Sequence, residues 1–155
     1  MLVYGHDEKI AKWTADLIPH VSSFEHYIGI GYTSNDRLIA GFIFNDYHSE
    51  FGTIQLSMAA ISPMWARKEV MAEVLRYPFD QLGCYKVFTA TPVDNVKAIK
   101  VNAHIGFKRE AILAHQFGKK RHCVMMRMLR PDYDRLLKEN FKWVNQNRKP
   151  QPQLL

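Results

Sequence analysis

The residues best spaced for chemistry lie between Ile61 and Phe107. A β-prone run ends at Ile61-Ser62-Pro63, and the short segment Met64-Trp65-Ala66-Arg67-Lys68 leads into a helical pattern. The first amides of a helix have no intrahelical partner, and with the helix dipole they attract an anion such as phosphate. Arg67 and Lys68 add two positive charges at the same point. Further along, Asn95 stands where a second helix begins, and Gly106-Phe107 stands where it ends. The pattern suits a phosphorylated ligand.

Other familiar chemistries find no support. Gly29-x-Gly31 runs on into Tyr32-Thr33 with no helix after it, so it is not a dinucleotide loop, and the GxxxxGK[ST] phosphate loop does not occur. The two glycines are expected to let a neighbouring strand or a ligand come close. The seven histidines form no HxH or HxxxH pair. His115 and His122 are placed to approach across the last hairpin, but two residues do not make a metal site. No serine lies in a G-x-S-x-G elbow. Cys84 and Cys123 form neither a disulfide framework nor a CxxC motif. The start, Met1 to Asp7, lacks the basic-then-apolar pattern of a leader, and no apolar run reaches the roughly 18–20 residues of a membrane-spanning helix. The expectation is a metal-free cytoplasmic protein.

The elements that must position these residues follow from the periodicity. Asp7 to Ile18 is predicted as a helix capped by Asp7, with Ile10, Trp13, Leu17 and Ile18 on one face and Pro19 ending it. Three strands follow, His26 to Thr33, Leu38 to Asn45 and Thr53 to Ile61, separated by short turns, so an antiparallel meander is predicted. Ala66 to Leu82 is predicted as a helix with Met71, Val74, Leu75 and Phe79 inward and Pro78 bending its last turn. Cys84 to Thr91 is a strand. Asn95 to Ile105 is a helix with Val96, Ile99 and Ala103 on one side, closed by Gly106. Strands over Lys108 to Phe117 and His122 to Leu129 precede a last helix from Pro131 to about Trp143. The 155 residues fit one α+β (mixed α/β) domain over 1–144, with a polar tail at 145–155.

From Thr53 to Leu129 the chain resembles the GNAT superfamily of acyl-CoA N-acyltransferases. The resemblance is carried by Leu82-Gly83-Cys84-Tyr85-Lys86-Val87, by Asn95-Val96-Lys97-Ala98-Ile99-Lys100, and by Ile105-Gly106-Phe107-Lys108-Arg109-Glu110. The closing run Val124 to Arg130 is similar to that of the ribosomal-protein N-acetyltransferase branch, and Trp65-Ala66-Arg67-Lys68 to acetyltransferases of bacteriophage genomes. The resemblance implies a mostly antiparallel central sheet flanked by helices, acetyl-CoA as co-substrate, and transfer of its acetyl group to an amine of a protein or small molecule. It assigns cofactor contacts to Ala60, Ile61, Ala66, Arg67, Lys68, Glu69, Val70, Met71, Asn95 and Lys100. It leaves room for a homodimer. Two departures stand out. Ala66, Glu69 and Met71 occupy the positions of the family's glutamine or arginine and its two loop glycines. Asn102 replaces the tyrosine that often serves as general acid, so it is the candidate catalytic residue, able to hydrogen-bond but not to supply a proton. Gln55 and Ser57 share a strand face suited to a water relay, and Glu25 and Glu110 are carboxylates near strand ends.

Charge bears on the alternatives. Met1 to Asp94 carries 7 Lys and Arg against 11 Asp and Glu, whereas Asn95 to Leu155 carries 14 against 4. A half with net charge +10 suits CoA phosphates, and it also suits nucleic acid. A catalytically degenerate fold that binds CoA or nucleic acid is therefore the alternative to the enzyme. The Lys119-Lys120-Arg121 turn is expected to lie far from a CoA site. Membrane binding is not expected.

Overall fold

In the computed structural model, which describes residues 1–140, the chain runs β1 (Leu2–Val3), α1 (Asp7–Leu17), β2 (Ile28–Ser34), β3 (Arg37–His48), β4 (Thr53–Ala60), α2 (Lys68–Val74), β5 (Lys86–Pro92), α3 (Val96–Ile105), β6 (Lys108–Leu113), β7 (Cys123–Leu129) and α4 (Arg130–Glu139). The expected domain boundary at 144, the tail, and the last helix beyond residue 140 lie outside the described residues. The strands form one sheet in the order β1-β2-β3-β4-β5-β7-β6. Neighbours are antiparallel except β4 and β5. Among the described residues no helix is long and apolar enough to cross a membrane.

The strand alternation divides the core. On β3, Phe42 and Phe44 join the main cluster with Ile54 and Leu56 of β4, Val87 of β5 and Val124, Met126 and Met128 of β7. The buried face of α2 (Val70, Met71, Val74), Ile99 and Ile105 of α3, and Tyr133 and Leu136 of α4 complete it. Ile43, between the two phenylalanines, faces the other way and packs with Ile10 and Ala11 of α1. So α2, α3 and α4 cover one face of the sheet, and α1 covers the other.

The glycines of the meander explain how closely α1 sits. A Cβ built on Gly41 would lie 1.9 Å from Thr14 Oγ1, and one on Gly29 would lie 3.1 Å from the Asp7 carbonyl oxygen. At Gly29 and Gly41 it is a helix that comes close, whereas at Gly31 the neighbouring strands do, Leu38 of β3 at 2.7 Å and Val3 of β1 at 2.9 Å from a built Cβ. The Asp7 carboxylate does not cap its own helix as expected. It accepts the Gly29 N–H at 2.9 Å, tying α1 to β2. The buried face of α1 is Ile10, Ala11, Thr14 and Ala15, and Leu17 is exposed.

Three further expectations are corrected. The helix expected over Ala66 to Leu82 is broken. A 3₁₀ turn at Pro63–Trp65 precedes α2, and a π turn at Tyr77–Gln81 follows it. Pro78 lacks the N–H that would continue the ladder, so the chain widens there. Met71, Val74, Leu75 and Phe79 are nevertheless all fully buried. In α3 the inward residues are Ile99, Asn102 and Ile105, with Val96 half exposed. The inward face follows the packing, with Ile99 and Ile105 joining the core over the sheet. The caps are as expected, Asn95 Oδ1 accepting the Ala98 N–H at 3.2 Å and Gly106 closing the helix at φ +125°. Finally, β6 stops at Leu113, and residues 114–122 form a loop.

Much of the basic excess holds this end of the fold together. Lys86 and Arg127 pair with Glu110 at 2.7 and 3.4 Å, Lys108 with Asp132 at 3.1 Å, and Arg130 with Asp80 at 3.3 Å. Asp132 also accepts the Leu129 N–H at the start of α4, at 2.9 Å. Burial alone would raise its pKa, but the Leu129 amide, Lys108 and Arg127 together hold it below the usual carboxylate value.

Two outcomes are expected. Gly41→Ala should lose about 1–3 kcal/mol by denaturant melt through overpacking on Thr14, and should cost far less in a Thr14→Ala background. Asp132→Asn should cost about 1–2 kcal/mol at neutral pH. Because the folded pKa is depressed, that contribution is complete above the unfolded value of 3.8 and is lost as pH falls through the lower folded value. The gap between wild type and variant should therefore close on acidification; a gap that stays constant from neutral pH to acid would contradict the assignment.

Candidate functional site

The parallel pair β4 and β5 is joined over three residues only, Thr53–Gln55 with Lys86–Phe88. Beyond Gln55, β4 stays with β3 through Ala60, and beyond Phe88, β5 stays with β7 through Pro92. Each strand keeps its outer partner and loses its inner one. A cleft of about 870 Å³ opens between them, within the usual range of roughly 300–1,000 Å³ for a ligand site.

The backbone along one wall is unpaired. Ile61 donates its N–H to the Ile39 carbonyl at 2.9 Å. Successive residues of an antiparallel strand point their backbone groups to opposite sides. Those of Met58 and Ala60 therefore point away from β3 and into the cleft. The Ile61 amide is already taken, so it is not free for a ligand.

Side chains reach the cleft from both faces of the sheet. From the face of α2 and α3 come Trp65, Thr89, Thr91 and Asn102. From the α1 face come Asn45, Gln55 and Ser57, the segment after α1, and Phe117 and Arg121 of the 114–122 loop. Ser57 Oγ donates to Asn45 Oδ1 at 3.4 Å, so the expected polar strand face exists and is joined by Asn45. Two side chains stand out. The Thr89 hydroxyl is buried with no hydrogen-bond partner among the described residues, one residue beyond the last β4–β5 pair. Asn102 of α3 is 4% exposed and lines the same cleft. A buried hydroxyl left unsatisfied costs about 1–3 kcal/mol.

The residues singled out in the sequence divide. Ala60, Ile61, Ala66, Asn95 and Asn102 line the cleft. Arg67, Lys68, Glu69, Val70, Met71 and Lys100 do not, and on α3 it is Lys97 that faces it. Arg67 donates to the Tyr32 hydroxyl at 3.2 Å, and Lys68 pairs with Glu139 at 3.7 Å. Val70 and Met71 are core side chains, and the Met71 N–H is spent on the Arg67 carbonyl at 3.1 Å. That leaves the amides of Lys68, Glu69 and Val70 open at the start of α2. Glu110 is engaged in ion pairs, and Glu25 does not line the cleft. Arg121 is a correction, since it lines the cleft rather than lying far from it. No group of three or more potential metal ligands occurs among the described residues.

No protein-family model and no curated protein sequence matches the chain. Solved structures do. The spermidine N-acetyltransferase of Vibrio cholerae, in complex with CoA and spermine, superposes with a TM-score of 0.69 at 15% identity, covering 86% of this chain and 96% of that one. A point mutant of the same enzyme gives a TM-score of 0.69 at 13% identity, over 86% and 96%. A chimera of that enzyme with hSSAT gives 0.61 at 18%, over 70% and 71%. The fold is that of the GNAT acyltransferases. The mostly antiparallel GNAT-like sheet expected from the motifs is therefore present, and the parting of β4 and β5 is where its cleft lies.

Sequence reasoning missed Thr89, His20, Phe117 and Arg121. Thr89 carries no motif, and its signal, a polar residue inside the apolar run Val87 to Pro92, was legible only as an ordinary strand threonine. His20 and Arg121 lie in segments without periodicity, and Phe117 is the expected end of a strand that stops at Leu113. His20 stacks on Phe117 with centroids 4.3 Å apart. Partial burial, and then the positive charge of Arg121, lower the His20 pKa below 6.5. Replacing Thr89 by Val should leave the ligand-free protein as stable or up to about 1 kcal/mol more stable in thermal melts, because an unpaired hydroxyl is removed. A loss of 1 kcal/mol or more would show that the hydroxyl is partnered.

Proposed function

We propose that the chain is an N-acetyltransferase that moves the acetyl group of acetyl-CoA to a primary amine. One observation carries the reading: the unpaired edge of β4 and the orphaned Thr89 hydroxyl face each other's strands across a cleft that passes through the sheet. The fold supports it, being shared with an enzyme crystallised with CoA and spermine. The residues present fit such a co-substrate. An extended pantetheine arm can take the hydrogen bonds that β5 does not offer to Met58 and Ala60. The open amides of Lys68, Glu69 and Val70, with Arg67 beside them, suit the pyrophosphate, although Glu69 must point away from it. Asn95 and Lys97 border the same opening.

Acetyl-CoA supplies an activated acyl carbon. An N–C bond forms, the C–S bond breaks, and the amine gives up one proton. The Met58 or Ala60 N–H is placed to stabilise the charge that builds on the carbonyl oxygen. Thr89 and Asn102 are placed to hydrogen-bond the departing sulfur, Asn102 taking the place of an acid without being one. His20 is the histidine in the lining, and burial and then Arg121 lower its pKa and favour the neutral ring, which can accept the proton directly or through water. A single domain holds all of these groups.

CoA and desulfo-CoA should both raise the melting temperature, since neither test depends on turnover. At about 100 times Kd the stabilisation should be roughly 2.7 kcal/mol. Asn102→Ala and Thr89→Val should slow acetyl transfer more than they weaken this shift. Absence of any shift with millimolar CoA or desulfo-CoA would overturn the reading.

A further inference from the structure

The acceptor side of the cleft, at the α1 face, is walled by the segment after α1 and by the 114–122 loop. That loop is braced rather than loose. The His122 ring accepts the His115 N–H at 2.9 Å, and the His115 ring accepts the Lys120 N–H at 2.8 Å. The Arg121 N–H donates to the Gly118 carbonyl at 3.0 Å, and the Arg121 carbonyl accepts the Phe117 N–H at 3.1 Å. The bracing sets Phe117 against His20 and leaves Arg121 on the cleft wall.

Among the described residues Arg121 is one of two cations of the basic half that line the cleft, with Lys97. Lys108, Arg127, Arg130 and Arg135 all have carboxylate partners. Arg121 has no side-chain partner among the described residues, and its charge is felt by His20. The carboxylate in the whole lining is Asp94, next to the α3 cap, and Lys97 lies in the same lining. A polyamine carries several positive charges at neutral pH and would meet Lys97 and Arg121 with one carboxylate to offset them. Asp94, Lys97 and Arg121 are exposed, and like charges brought close to Lys97 and Arg121 still repel within a Debye length. A guanidinium with free donors instead matches a carboxylate or phosphate, which it binds in a forked pair. The aromatic wall of His20, Phe24 and Phe117 adds a flat apolar surface.

We infer that the acceptor is a small amine that also carries an acidic group, with an apolar or aromatic body, and not a polyamine. The inference rests on the acetyl-transfer reading and deepens it. Arg121 is the specificity determinant, pairing with the acidic group while the amine points to the strand fork.

The test measures CoA release from acetyl-CoA with five acceptors: phenylalanine, phenylalaninamide, a peptide beginning with phenylalanine, phosphoethanolamine and spermidine. Phenylalanine should exceed its amide and spermidine in kcat/KM by on the order of tenfold or more, the size of one charge-assisted contact. Phosphoethanolamine separates a preference for phosphate from one for carboxylate. Arg121→Gln should bring the acid-to-amide ratio near one, and Arg121→Glu should invert it; being ratios, these are insensitive to losses of folded protein. Faster turnover of spermidine, of the amide or of the peptide overturns the inference, as does a ratio unmoved by Arg121→Gln. So does the absence of turnover with both acidic amines in protein that binds CoA. Failure to bind CoA at all overturns the acetyl-transfer reading beneath it.

Discussion

The cleft depends on one constraint, the loss of pairing between two parallel strands that remain fully paired on their outer sides. A strand interior with one bare edge exposes amides and carbonyls that must find partners. The sheet tolerates this because β3 and β7 hold β4 and β5 along their full lengths, so neither strand is free to collapse onto the other. The right-handed twist of a sheet rotates neighbouring strands progressively apart, and a pairing of three residues lets that divergence proceed. The core on the side of α2, α3 and α4 is bound to both halves, with Leu56 on one and Val87 and Met126 on the other, and keeps the fork from opening further.

The rest of the molecule is arranged around that opening. On one face α1 is pressed onto glycines, Gly29 and Gly41, which lets the chain after Leu17 come down beside the cleft. On the other, α3 is capped by Asn95 and closed by Gly106, with Ile99 and Ile105 packed in the core and Asn102 lining the opening. Asp132 and Glu110 gather the cations of β6, β7 and α4 into ion pairs, which leaves that charge structural. The positive groups that remain at the cleft, Lys97 and Arg121, are few and well separated in sequence.

Polar groups left unsatisfied are costly in a core and useful at a site. Among the described residues the Thr89 hydroxyl is buried without a partner where the strands part, whereas the buried Thr14 hydroxyl beneath α1 donates to the Ile10 carbonyl at 2.7 Å. Local violations of this kind are expected where a structure is organised to receive a ligand.

The sequence by itself determined the order of the elements, the meander, the change to alternating strand and helix after Ile61, and the caps at Asn95 and Gly106. These are set by periods of two and 3.6 and by residues with strong local preferences, so they are visible in a window of a few residues. It also carried enough of Leu82-Gly83, Asn95 and Gly106-Phe107 to identify the fold. Legibility failed at Asp7, Pro78 and α3, where a carboxylate had a better partner on β2, a missing N–H widened a helix, and packing on the sheet chose Ile99 and Ile105 as the inward face. Only the tertiary structure decided where β4 and β5 part, which backbone amides are left bare, and that Thr89, His20, Phe117 and Arg121 meet at one cleft. Register between distant strands and the packing of an irregular loop depend on contacts across the whole chain, and no local pattern encodes them.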